Sequence, residues 1–205
     1  MPMLATLLCS AYMPPIHFFT AMARSGEVVI EQYDSYSKQT WRNRCMIAVD
    51  SGVQSLTVPV VKGNSKQLMR DVRISDHGNW RRLHWNALKT AYMNSPFFIY
   101  YTDDLYPFFE RRWEFLIDFN TEITEKILEL IDIKANIRLT DRYLKLPDMV
   151  DLRHLIDPSV TPRQSVGEYW QVFKSENGFI GGLSILDLLF NTGPEAKLLL
   201  TAAGK

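Results

Sequence analysis

Residues 4–10, Leu-Ala-Thr-Leu-Leu-Cys-Ser, form a short unbroken apolar run closed by Tyr12 and the pair Pro14-Pro15. A run this short, bounded by prolines, suits a strand buried on both faces, as the inner strands of a parallel sheet are. Pro15 fits the first turn of a helix, where the N–H it lacks has no partner in any case. The apolar residues 17–24 continue that helix and Gly26 stops it. The β-branched residues 28–30 read as a second strand, so the chain opens as a βαβ unit.

Beyond this opening the pattern alternates between strand and helix signals. Residues 33–44 are polar and aromatic and read as a loop. Residues 45–49 and 54–61 are β-rich and flank Asp50-Ser51-Gly52, a hairpin signal. Residues 68–74 read as a short strand and 97–101 as an aromatic one. A helix is expected over 80–93, capped by Asn79. One or two more fall within 103–130, where Trp113, Leu116, Ile117, Asn120, Ile123, Ile127 and Leu130 share a helical face. Residues 137–140 read as a strand, 145–165 as a loop, and 184–190 as a helix that Ser184 caps. With 205 residues and 46% hydrophobic content, a sizeable core needs no staples. The expected architecture is a single α/β domain over residues 1–205, with a mixed sheet, a hairpin and helices packed on it.

Charge and cysteine content narrow the functional classes. Lys and Arg total 23 against 23 Asp and Glu, so the footprint of a general nucleic-acid binder is missing. No stretch reaches the ~18–20 apolar residues of a membrane span. No Lys or Arg precedes the first apolar run, so it reads as a core strand and not as an export signal, and the chain is expected to be cytoplasmic. Cys9 and Cys45 read as reduced thiols and fall short of a closed cysteine zinc site. Cys9, at a strand end near a helix start, has the position of a nucleophile, but a core strand residue is the better reading.

Three constellations carry candidate chemistry. Tyr12, Pro14 and His17 lie where the first strand hands over to the first helix, the place where parallel sheets bind ligands. Residues 36–44, ending in Trp41-Arg42-Asn43-Arg44, crowd Tyr36 and Trp41, the cations Lys38, Arg42 and Arg44 and several hydrogen-bonding groups into one segment, suited to a ring and an anionic group. His84 shares a helical face with Trp80, four residues away. Neither His77 nor His84 falls in a zinc-helix pattern, so no metal site is expected. There is no nucleophile elbow, no phosphate loop and no dinucleotide fingerprint, and the sequence names no cofactor.

Taken in order, several segments resemble the WbqC-like protein family of bacteria. They are Ala11-Tyr12-Met13-Pro14, residues 36–44 with Trp41-Arg42-Asn43-Arg44, Leu56-Thr57-Val58-Pro59-Val60, Trp80 with His84, Ala91-Tyr92 with Ser95-Pro96-Phe97, Asn120, and the tail from Gly178-Phe179 through Leu183–Asn191 to Gly193-Pro194. This chain has Ser10-Ala11 where the family commonly has a longer polar residue before the Tyr-x-Pro element. The resemblance implies a transferase that places an acyl or aminoacyl group on a polar acceptor, such as an amino-sugar of surface-polysaccharide (O-antigen) metabolism. His84 and His17 are then the expected catalytic residues, and Tyr12, Trp41, Arg42, Asn43 and Arg44 the substrate-binding ones. The expected partner is a small molecule. The alternative is a non-catalytic binding or assembly protein using the same aromatic–cationic surface, and the aromatics of 92–109 leave room for a homo-oligomer.

Overall fold

The computed structural model describes residues 4–64, 66–145, 147–160 and 166–203. The apolar opening run forms β1 (Thr6–Cys9), buried along its whole length. Leu7 and Leu8 are fully out of water, which contributes about 1.5–3 kcal/mol each. Helix α1 (Ile16–Ala23) follows, with Pro15 just before it, and leads into β2 (Val28–Glu31). The two strands pair in parallel, Thr6 opposite Val28 and Cys9 opposite Glu31. The βαβ opening is therefore present as expected.

The hairpin is present too: β3 (Arg44–Val49) pairs antiparallel with β4 (Gly52–Thr57). Its turn relies on Gly52, whose φ of 118° lies in the region that favours glycine. The second strand ends earlier than the hydrophobic pattern suggests, because Pro59 has no N–H to give a ladder. Val60 keeps only an isolated bridge to Ile74. Residues 68–74 are not a strand but a 3-10 turn, Met69–Asp71. Met69 and Val72 are buried at a spacing of three, a period no strand can place on one face.

Helix α2 (Trp80–Tyr92) matches its expected span, but Asn79 precedes it in the left-handed conformation and makes no side-chain cap. The aromatic residues expected as a strand instead begin helix α3 (Phe98–Leu105), with Phe98 and Leu105 buried. Those two sit seven apart on one helical face, and the Phe97 N–H is held by the Phe190 carbonyl at 3.0 Å. A short α4 (Pro107–Glu110) and the long α5 (Leu116–Leu130) follow. Strand β5 (Ile137–Leu139) falls where expected. Within 145–165 the loop reading misses β6 (Val150–Asp151) and a 3-10 turn, Arg153–Ile156; two residues of strand leave no period to see. The tail adds α6 (Lys174–Asn177), α7 (Ile185–Thr192) and α8 (Ala196–Ala202). Ser184 caps α7 by accepting from the Leu186 N–H.

The main sheet runs β5-β2-β1-β6 with every pairing parallel. One core joins the sheet, the hairpin and the helices. The tail closes the fold over the beginning: Ser184 Oγ donates to the Met13 carbonyl at 2.8 Å. The Ser184 N–H bonds to Met46 of the hairpin, and the Ile185 N–H to Pro14. Among the described residues no helix is long and apolar enough to cross a membrane.

Candidate active site at the carboxyl edge of the parallel sheet

Because all four strands run the same way, Cys9, Glu31, Leu139 and Asp151 end at one edge. The chain builds outward from β1 through β2 to β5, then returns to place β6 on the other side of β1. Such a reversal opens a crevice beyond the strand ends, the usual ligand site of open parallel sheets.

Polar groups meet there. The Cys9 thiol donates to Asp34 Oδ2 at 3.3 Å and lies 3.6 Å from the Arg153 carbonyl. Arg42, 5% exposed, pairs with Asp34. Its guanidinium also reaches Thr40 Oγ1 at 3.3 Å and Cys9 Sγ at 3.8 Å. Burial pushes the Cys9 thiol up; the Arg42 guanidinium pulls it down, and Asp34, by its charge and as hydrogen-bond acceptor, pushes it up again. Cys9 is therefore a thiol at neutral pH and not a ready thiolate. Glu31, fully buried, accepts from the N–H groups of Tyr33 and Leu144, from Thr140 Oγ1 at 2.8 Å and from Arg153 Nη1 at 3.4 Å. Arg153 in turn makes a two-pronged contact with Asp151, at 3.0 and 2.6 Å.

The two expected catalytic histidines occupy different settings. The Tyr12 hydroxyl and His84 Nδ1 are 2.8 Å apart, both buried. Burial pushes the tyrosine hydroxyl up, so it keeps its proton and donates. Burial likewise lowers His84 to about 4, against an opposing hydrogen bond to the Thr57 backbone. A neutral ring accepting at Nδ1 carries its proton on Nε2, towards that backbone. Trp80 meets the ring edge-on at 5.2 Å between centroids, as their spacing of four implies. His17, in the first turn of α1, is also lowered to about 4 by burial, opposed by the Leu155 backbone. The Leu155 backbone is a near neighbour and not a full partner, because neither ring nitrogen makes a hydrogen bond of good geometry among the described residues.

The remaining expected site residues divide. Arg42 enters the polar cluster. Trp41 is buried, its carbonyl accepting from the Tyr12 N–H at 2.8 Å and its N–H donating to the Ile156 carbonyl at 3.1 Å. Asn43 anchors the hairpin through a 2.8 Å bond from its amide to the Val58 carbonyl. Arg44 faces the hairpin's flank and reaches Thr57 Oγ1 at 3.3 Å. Glu31, Asp34, Asn120 and Arg153 join the site without having been singled out for it. Asn120 on α5 donates to Ser10 Oγ at 3.0 Å and to the Arg42 carbonyl at 2.8 Å. Three of these left a trace in the sequence: an acid directly after the β-branched run 28–30, an acid in the same loop as Arg42, and an amide on an otherwise apolar helical face. Arg153 left none. Among the described residues, no three or more His, Cys, Asp and Glu side chains stand together as a metal-binding group.

The model of the WbqC-like protein family matches residues 10–158, a span that holds every residue of this cluster except Cys9. A protein of Mycobacterium tuberculosis (strain ATCC 25618 / H37Rv), the uncharacterized protein Rv1507c, is 29% identical over 215 aligned residues. The alignment covers 91% of this chain and 93% of that protein. No solved structure matches.

Proposed function

The chain belongs to the WbqC-like protein family, and from that premise we propose that it is a transferase working at the carboxyl edge of its parallel sheet. The group moved is an acyl or aminoacyl group, and the acceptor is a polar molecule such as an amino-sugar of bacterial surface-polysaccharide metabolism. One observation carries the placement. Among the described residues, six buried side-chain nitrogen or oxygen atoms lack a hydrogen-bond partner, and four of them belong to His17, Arg42 and Asn120. These three residues surround the end of β1 and the start of α1. Buried polar groups are paired in folded proteins unless something else binds them, so such a concentration fits a ligand site.

The roles follow from the settings. Arg42 Nε–H, a buried donor with no partner, would hold an anionic oxygen of the donor substrate, with Arg44 at the rim. The acceptor amine attacks the donor carbonyl, a C–N bond forms, and the leaving group departs with the electron pair of its bond to that carbon. A neutral histidine takes the proton the amine sheds. His17 suits that step better than His84, whose ring is already engaged by Tyr12. Tyr12, Trp41 and Asn43 fix the walls.

The test is a thermal-shift screen of the full chain against nucleotide-sugars, acyl-CoA and aminoacyl donors, followed by mass spectrometry of the mixed reactants. A donor that raises Tm in wild type but not in Arg42→Gln, with acylated acceptor formed, supports the reading. No stabilising donor and no product would sink it. The binding-protein alternative has its own support in Arg42, whose charge is already matched by Asp34. A donor that binds with no product formed would favour that alternative.

A further inference from the structure

The site's polar edge borders a small, partly open cavity between α5 and the sheet, of about 10 Å³, lined by Ser10, Asn120 and Thr124 and by Phe18, Met22 and Ile30. That is room for a single water-sized group. Asn120 is 1% exposed. Both protons of its amide nitrogen are used, on Ser10 Oγ and on the Arg42 carbonyl. The carbonyl of Arg42 can only accept, which settles which end of the amide is nitrogen. The other end, Asn120 Oδ1, is buried with no partner. Ser10 Oγ accepts from Asn120, so its own proton remains to be donated.

We infer that this cavity is a subsite for one neutral hydroxyl group of the acceptor, held between Asn120 Oδ1 and the Ser10 hydroxyl. The hydroxyl donates to Asn120 Oδ1 and accepts from Ser10 Oγ–H, so both groups are matched. An ammonium is excluded by the apolar walls and the shortage of acceptors, and a carboxylate by size. The subsite rests on the reading of the protein as a transferase with a sugar-like acceptor. It makes Asn120 a specificity-determining residue, because a buried acceptor built for a hydroxyl rejects the analogue that lacks it.

The experiment is calorimetric titration of the full chain with methyl 2-amino-2-deoxyglucoside and its 3-, 4- and 6-deoxy analogues. It is repeated on Ser10→Ala, which removes the donor, and on Thr124→Leu, which fills the cavity from α5. The expected result is one deoxy analogue binding wild type at least ~10-fold more weakly than the parent sugar. Both variants should bind the parent about as weakly as wild type binds that analogue, and should no longer distinguish the two. If Thr124→Leu loses its native circular dichroism, Ser10→Ala decides. Equal binding of all four sugars by wild type overturns the subsite and leaves the transferase reading standing. Absence of binding by any of the four overturns the amino-sugar acceptor itself, and the subsite with it. A crystal structure with a water kept between Ser10 and Asn120 in the sugar-bound state also overturns the subsite.

Discussion

Two regions of this molecule bury polar side chains in the same apolar interior and satisfy them to different degrees. Around Asp187, on α7, the carboxylate is fully buried yet accepts from Tyr92 at 2.9 Å, from Tyr169 at 2.5 Å and from Gln171 at 2.7 Å. Gln171 also receives the Ile180 N–H, and the Tyr92 oxygen receives the Ala48 N–H. One atom there, Asn191 Oδ1, goes without a partner. At the carboxyl edge of the sheet, His17, Arg42 and Asn120 together leave four. The first region ties the tail and α7 to α2 and the hairpin, and its polar groups are occupied by one another. The second keeps donors and acceptors in reserve, which costs stability and is what a binding site requires. On the function proposed here the contrast is between a structural network and a binding one, and it can be broken by substitution.

The largest effect is expected at the satisfied network. Asp187→Ala strands three buried donors and should lower the free energy of unfolding by about 3–5 kcal/mol, read by urea denaturation. Asp187→Asn sharpens the same point through pH. Burial pushes the Asp187 carboxyl up, so the folded state keeps that proton to higher pH than the unfolded chain does. Its contribution is complete below the unfolded carboxylate range, near ~3.9, and is lost as pH rises through the raised value. The stability of wild type relative to Asp187→Asn should therefore fall as pH rises. A flat difference would show that the network holds an ordinary carboxylate.

At the site, function should suffer before stability does. Arg42→Gln should cut kcat/KM by about 100-fold, equivalent to about 2.7 kcal/mol of transition-state stabilisation. A change confined to stability, with turnover intact, would move Arg42 into the structural class beside Asp187.

Smaller again is the pH response of the histidines. Both are lowered to about 4 by burial, so the unfolded chain, with histidine near ~6.5, binds protons that the folded chain refuses. Stability is complete above the unfolded value and is lost as pH falls from there towards about 4. The slope is at most about 1.4 kcal/mol per pH unit for each ring. Urea midpoints between pH 7 and pH 5 measure it, and replacing either histidine should remove its share.

Where sequence reading reached the right answer, the physics was local. The run ending at Cys9, the Pro15 helix start and the β-branched residues 28–30 dictate the βαβ opening with little help from the rest of the chain. Where it failed, distant residues decide. The 98–105 segment is rich in aromatics that favour strands, yet its apolar residues recur at helical spacing, and contact with Phe190 settles the matter. Arg42 was legible as a charged residue among aromatics, but its partners Cys9 and Asp34 come together only through the sheet. Arg153 sits just past a two-residue strand in a stretch without period, so nothing local marks it. The WbqC-like resemblance pointed to Tyr12, Trp41–Arg44 and His84 as one group, whereas the structure divides them between the polar cluster, the buried Tyr12–His84 pair and the hairpin flank.

The smallest stability change is also the one whose sign matters most. His17 is 8% exposed and its ring nitrogens have no hydrogen-bond partner among the described residues, so the fold bears a desolvation cost there that only the nearby Leu155 backbone offsets in part. Phenylalanine has a comparable ring and no nitrogens to desolvate, and Phe18 already packs beside the site at 5.2 Å between ring centroids. His17→Phe should therefore stabilise the protein, by about 1 kcal/mol, while abolishing transfer. A structural histidine gives the opposite sign: for His84→Phe the Tyr12 hydroxyl loses its acceptor, and about 1–3 kcal/mol of stability should go with it. Thermal denaturation of the two variants, run beside the product assay, places each residue on one side of the comparison. If His17→Phe is less stable than wild type, its ring nitrogens are serving the fold, and the case for His17 as the base is lost.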